Sequence, residues 1–119
     1  MSFNWKDYVS LAEDLVDSVE ESRLRSCVSR AYYGVFCIAR NGKSYKSYKP
    51  KPGENLHRKI INEYKNSSDV KEQETGHILD NLRKSRNDAD YDADKQINGR
   101  IAQRAVNRAK QILENLGMI

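Results

Sequence analysis

Proline, glycine and cysteine are all scarce in this chain: its 119 residues include two prolines, six glycines and two cysteines. So little glycine and proline excludes a collagen-like or low-complexity polypeptide. Cys27 and Cys37 lie ten residues apart in a stretch with helical periodicity, which separates them by about 15 Å at ~1.5 Å of rise per residue. They are too distant to bridge. The same spacing defeats a two-thiol metal site, and His57 and His77, the only histidines, have no neighbour at metal-ligand spacing. Neither a metal nor another cofactor is expected. Hydrophobic runs are short too: none approaches the roughly 18 apolar residues of a membrane span, and the opening Met1-Ser2-Phe3-Asn4-Trp5-Lys6-Asp7 does not read as a signal peptide. A cytoplasmic location is the expectation.

What is present suits one folded domain over residues 1–119, with 38% hydrophobic and 32% charged residues and a formal charge of +4. Mean hydropathy is −0.87, yet Leu, Ile, Val and Ala recur at regular spacing, which a disordered chain does not show. Charge is unevenly spread. Residues 1–21 carry one lysine against six acids, residues 22–59 carry ten basic side chains against Glu54 alone, and residues 60–119 balance. A basic middle favours a polyanion partner, chiefly nucleic acid, although a solvated face accounts for such clusters as well.

Trp5, Tyr8, Ala12, Leu15, Val16 and Val19 fall at three- and four-residue steps with acids between them, predicting a helix capped by Asn4 and ending near Ser18–Glu21. Leu24, Cys27, Val28, Ala31, Val35 and Ile38, widened by Tyr32, Phe36 and Ala39, make a second and central helix that stops at Asn41-Gly42. Residues 42–53 hold both prolines and no periodicity, so they form a basic loop. Leu56, Ile60, Ile61 and Tyr64 mark a short third helix; Asp69 caps a fourth carrying Val70, Ile78, Leu79 and Leu82. After the acidic stretch Asp88–Asp94, the stripe Ile97, Ile101, Ala105, Ala109, Ile112 and Leu116 predicts the last helix, to Gly117. No strand pattern occurs, so the predicted fold is all-α, an antiparallel bundle of four to five helices.

Several residues could carry chemistry. Ile78, Leu82 and Arg86 are successive i, i+4 positions, which puts a guanidinium on the apolar stripe of the fourth helix. An unpaired charge there is costly. Either Arg86 pairs internally, with Asp90 four residues on or with a carboxylate of another helix, or it lines a phosphate-binding cleft with Asn87 and Tyr91. The acidic run is not an EF-hand loop, since Ala93 and Gly99 stand where Gly and Glu are required. His57 and His77 each sit singly on a helix, as structural histidines do. Tyr32, Tyr33 and Phe36 fit core or interface better than a base-stacking platform. Lys43, Lys46, Lys49 and Lys51 interleave with Tyr45 and Tyr48, either as a solvated loop or as a surface for single-stranded nucleic acid.

Two segments resemble the HEPN domain family. One is Glu21–Arg40, with its core Ser29-Arg30-Ala31-Tyr32-Tyr33-Gly34-Val35-Phe36; the other is Leu82-Arg-Lys-Ser-Arg-Asn-Asp-Ala-Asp-Tyr-Asp92. The resemblance covers nearly the whole chain. It implies a helical homodimer in which Arg30, Tyr32, Tyr33 and Phe36 belong to the motif face, packed with the Arg86 helix around a shared cleft. In active members that cleft is a metal-independent endoribonuclease site, with Arg, a polar residue, and a His four to six residues after the Arg. Arg86 and Asn87 match the first two; Tyr91 stands in the place of the His, and no histidine follows His77. Tyrosine, with a pKa near ~10, is a weaker proton-transfer group than histidine at about 6.5. His57 is the one imidazole that could reach in from the third helix.

Three functions are compatible with this: an RNA-cleaving toxin or defence component slowed by Tyr91; a non-catalytic module binding RNA or a nucleotide through Arg86 and the basic loop; and the helical partner of a nucleotidyltransferase-like protein.

Overall fold

The computed structural model describes residues 2–119 and contains five helices and, among the described residues, no strand. They are α1 (Lys6–Leu15), α2 (Glu21–Gly42), α3 (Leu56–Lys65), α4 (Val70–Tyr91) and α5 (Gly99–Asn115). Among the described residues no helix is long and apolar enough to cross a membrane. Polar caps start three of them. Asn55 Oδ1 accepts from the Arg58 amide at 3.1 Å, Asp69 Oδ1 from Lys71 at 2.8 Å and Glu72 at 3.1 Å, and Asn98 Oδ1 from Ile101 at 3.0 Å.

Helix α2 is central because its apolar stripe is the widest: from Leu24 to Ala39 it buries residues on nearly every side, Tyr32 and Val35 completely. It packs on α1, α4 and α5, while α3 packs chiefly on α4. Contacts pair residue 25 with 89, 33 with 86 and 43 with 72, so α2 and α4 run antiparallel. Two glycines set distances. A Cβ on Gly34 would stand 2.9 Å from Val9 Cγ2 and 3.0 Å from the Trp5 carbonyl, and one on Gly76 would stand 2.5 Å from the Lys65 backbone nitrogen. Only glycine lets α1 and α3 approach this closely.

Several helix limits differ from expectation. The first helix ends at Leu15, not near Ser18–Glu21; Val19, which continued the periodic stripe, is 97% exposed, and Ser18 instead turns the chain, its Oγ accepting from Glu20 N at 3.1 Å. Asn4 lies just outside α1, holding the Lys6 amide at 3.1 Å, with Trp5 in the cap position. Gly42 is the last residue of α2 and not its left-handed cap; Ser44 takes the positive φ of 66°, and the connecting loop is 43–55 rather than 42–53.

Helix α4 runs into the acidic stretch as far as Tyr91 although it has no basic residue in its last turn to offset the macrodipole. The missing charge comes from α2. Arg25 Nη1 donates to the carbonyls of Asp88 (3.3 Å), Ala89 (3.0 Å) and Asp92 (3.0 Å), and Nη2 donates to Lys95 O. Glu21 holds the same guanidinium at 2.9 Å. That clamp fixes the turn bearing Asp90 and Tyr91.

Candidate functional site

Apart from tyrosines and cysteines, three polar side chains are buried among the described residues: Ser29, Thr75 and Arg86. Thr75 is satisfied within its own helix, its Oγ1 donating to Lys71 O at 2.9 Å. The other two converge. Ser29 Oγ donates to Asp90 Oδ2 at 3.2 Å, and Arg86 Nη1 lies 3.8 Å from that same oxygen. Arg86 Nη1 also donates to Tyr33 Oη at 3.1 Å. The guanidinium lies between rings, its carbon 5.2 Å from the Tyr32 centroid, 5.1 Å from Tyr33 and 5.7 Å from Tyr91.

Such partners only half satisfy Arg86. Its Nε is buried with no hydrogen-bond acceptor, and the Asp90 contact is longer than a charge-assisted hydrogen bond. The expected i, i+4 pair therefore exists, but it leaves donor capacity in a low-dielectric setting where an anion is bound strongly. Tyr91 is 76% exposed and Asn87 is exposed, one turn apart on the outer side of α4.

Beside this cluster lies a groove of about 450 Å³ between α1, α2 and α4, lined by Trp5, Tyr8, Ser29, Arg30, Tyr33, Cys37 and Asp90. The Arg30 guanidinium lies 4.6 Å over the Tyr8 ring and 5.8 Å from Tyr33. Trp5 and Tyr8, whose spacing reads as core, are half-buried and form the groove's far wall. Ser29, Tyr33 and Cys37 share one face of α2 at four-residue steps, so they line the groove together.

His57 enters the same region from α3. Its Nδ1 is 2.6 Å from Tyr32 Oη, and its ring stacks on Phe36 at 4.3 Å. Burial, reinforced by the positive charges of Arg83 and Arg86, pulls its pKa down to about 4. Burial also raises the Tyr32 phenol well above its ordinary value. Both groups are therefore uncharged near neutrality and share one short hydrogen bond between Oη and Nδ1. His57 pins Tyr32 in place and is not poised to exchange protons near neutrality.

Tyr32 and Phe36 are 0% and 4% exposed within the single chain. Of the core and interface roles open to Tyr32, Tyr33 and Phe36, the first and last take the core one, covered by α3 and His57, while Tyr33 retains some exposure.

The lysine loop is likewise partly spoken for. Lys43 Nζ binds both Glu72 carboxylate oxygens at 2.9 Å, which removes it from the open cations, and Lys46 Nζ donates to Ser2 Oγ at 3.2 Å. Lys49 and Lys51 are exposed. The Tyr45 and Tyr48 rings pack edge to face 5.0 Å apart, with their hydroxyls on Glu63 and Glu54. Hydrogen bonding to Glu54 holds the Tyr48 phenol up at about 12.

The HEPN domain family model matches residues 9–119. The chain belongs to the HEPN family. Searches of curated proteins and of solved structures returned no match. In this HEPN domain, α2 and α4 carry the two segments whose resemblance was noted from the sequence, and they face each other through Arg86, Tyr33, Ser29 and Asp90.

Proposed function

We propose that this HEPN protein binds RNA at Arg86 and cleaves it slowly, as a metal-independent endoribonuclease assembled from two copies of the chain. The observation that carries the reading is a buried, incompletely partnered Arg86 directly beneath an exposed tyrosine. Arg86 would hold a phosphate and offset the charge that builds on it as the adjacent ribose 2′-hydroxyl attacks. The exposed Tyr91 hydroxyl donates a hydrogen bond to the phosphate or the leaving oxygen, and Asn87 contacts the neighbouring backbone. With Tyr32 and Phe36 inside the chain, a second copy meets the outer face of α4, which presents Asn87 and Tyr91.

Turnover is slow in this reading because the nearest imidazole, His57, titrates at about 4 and is bound to Tyr32. A missing acid–base group costs about 10²–10⁴-fold in rate. That observation also favours a second reading, binding without cleavage.

Incubation with tRNA in EDTA, beside Arg86→Ala, Arg86→Lys and Tyr91→Phe, tests both. Cleavage leaving 2′,3′-cyclic phosphate ends, lost in Arg86→Ala while its melting temperature holds, supports the first. Salt-sensitive binding without products supports the second, and neither binding nor cleavage sinks both. Sedimentation at micromolar concentration reads the dimer directly.

A further inference from the structure

The groove beside Arg86 is more than a passage to the phosphate site. Its walls are aromatic, its floor is polar, and at about 450 Å³ it falls within the roughly 300–1,000 Å³ range of small-molecule sites. Its polar groups form an ordered pattern. At one side is the flat guanidinium of Arg30, held over the Tyr8 ring at 4.6 Å and donating only a long 3.5 Å bond to Ser29 Oγ. On the other is the Asp90 carboxylate, anchored through Oδ2 by Ser29, with Oδ1 unengaged among the described residues. The groove thus offers a donor next to a pair of acceptors, beside the Trp5 ring against which a planar ligand can lie.

Resting on the RNA reading above, we propose that this groove holds a guanine base next to the phosphate bound by Arg86. Guanine's Watson–Crick edge reads acceptor, donor, donor: O6 faces Arg30, while N1–H and N2–H reach the Asp90 carboxylate as a bidentate pair. The other bases mismatch. Adenine and cytosine present an amine toward Arg30 and ring acceptors toward the carboxylate, and uracil supplies one N–H flanked by two carbonyls. Arg30 is half-buried and the Asp90 side chain is 25% exposed, so a wrong base leaves them facing water unpaired and is rejected by about 10-fold. Trp5 provides the stacking surface, Tyr8 carries Arg30 on its ring, and Tyr33 joins base and phosphate positions through its hydroxyl on Arg86.

Trp5 is the chain's one tryptophan and lines the groove, so its fluorescence reports occupancy. Titration with 5′-GMP, AMP, CMP and UMP is expected to show GMP binding at least about 10-fold tighter than the others. Inosine monophosphate, which lacks the N2 amine, should lose most of that advantage on the unaltered protein, so the test does not depend on a variant folding. Asp90→Asn should bring GMP to parity with AMP. Equal binding of all four nucleotides, or IMP equal to GMP, overturns the proposal. Short RNAs with and without guanosine separate the two readings. RNA binding that ignores guanosine leaves the Arg86 reading standing and overturns the guanine groove. GMP binding without RNA binding supports the groove and overturns RNA as the source of its base.

Discussion

The loop at 43–55 and the groove beside Arg86 both carry positive charge and tyrosines, but they use them differently. In the loop, formal charge is high and nearly everything is either paired or open to water: Lys43 sits on Glu72, Tyr48 on Glu54, and Lys49 and Lys51 are exposed. The groove is lined by one arginine and one aspartate, and Arg86 beside it is buried and under-partnered. Electrostatic attraction at the loop is screened over about 8–10 Å in ordinary salt, whereas an anion reaching Arg86 meets a charge that water does not solvate. Counting lysines therefore locates where a polyanion is attracted; finding the unsatisfied buried donor locates where it is held.

The sharpest way to break this contrast is at Arg86. Arg86→Ala is expected to weaken RNA binding by about 100-fold, in line with the loss of one bidentate charge-assisted contact in a desolvated site. Arg86→Lys recovers little, because one ammonium nitrogen cannot span the positions of Tyr33, Asp90 and a phosphate as the planar guanidinium fork does. Filter binding at fixed salt measures it. An effect no larger than that of a loop lysine would place the groove and the loop in one class.

Next in size is the clamp that holds the groove's α4 wall. Replacing Arg25 with Met removes the donor shared by Asp88, Ala89, Asp92 and Lys95 at and just beyond the end of α4 and should cost about 2–3 kcal/mol, which for a domain of this length lowers the melting temperature by about 10 °C. RNA affinity should fall with it, since Asp90 and Tyr91 ride on the clamped turn. The same substitution should leave the loop's exposed lysines untouched, so the salt dependence that remains is theirs.

The five helices were legible because each carries a stripe of the right period, and Asp69 announced its cap three residues ahead of the chain it binds. The family could be recognised from two segments of α2 and α4. What the stripes could not reveal is what lies against them. Tyr32 and Phe36 looked ready for a partner molecule, and it is His57, more than twenty residues on, that covers them. Lys43 looked free until Glu72 came across from α4, and Val19 kept the rhythm of a helix that had already ended. Arg86 and Asp90 were readable as a pair because they share a helix. Trp5 and Tyr8 were not readable as groove walls, because that role arises only where Gly34 lets α1 close on α2.

Acid sharpens the comparison at the groove's base. The folded pKa of His57 lies at about 4, below the ~6.5 of an unfolded histidine, so between those values the unfolded chain binds more protons. The stability this provides is complete above pH about 6.5 and is lost as pH falls toward 4. Because the ring is only partly buried, the loss is of order 1–2 kcal/mol. Urea melts at pH 7, 5.5 and 4.5 should show it, and His57→Gln should flatten that part of the profile. An unchanged slope would mean that His57 is already solvated and that Tyr32 is held by packing alone.

The smallest effects belong to the loop. Lys49→Ala and Lys51→Ala should each weaken RNA binding by about 2- to 3-fold and reduce the slope of log affinity against log salt by somewhat less than one, the signature of a single phosphate contact. Lys43→Ala should act differently, through stability, because it leaves Glu72 without its cation while Ser67 still donates to that carboxylate at 2.6 Å. If Lys43→Ala instead reduced the salt slope as its neighbours do, its pairing with Glu72 would have to open when RNA arrives, and the loop would then rearrange to bind rather than merely attract.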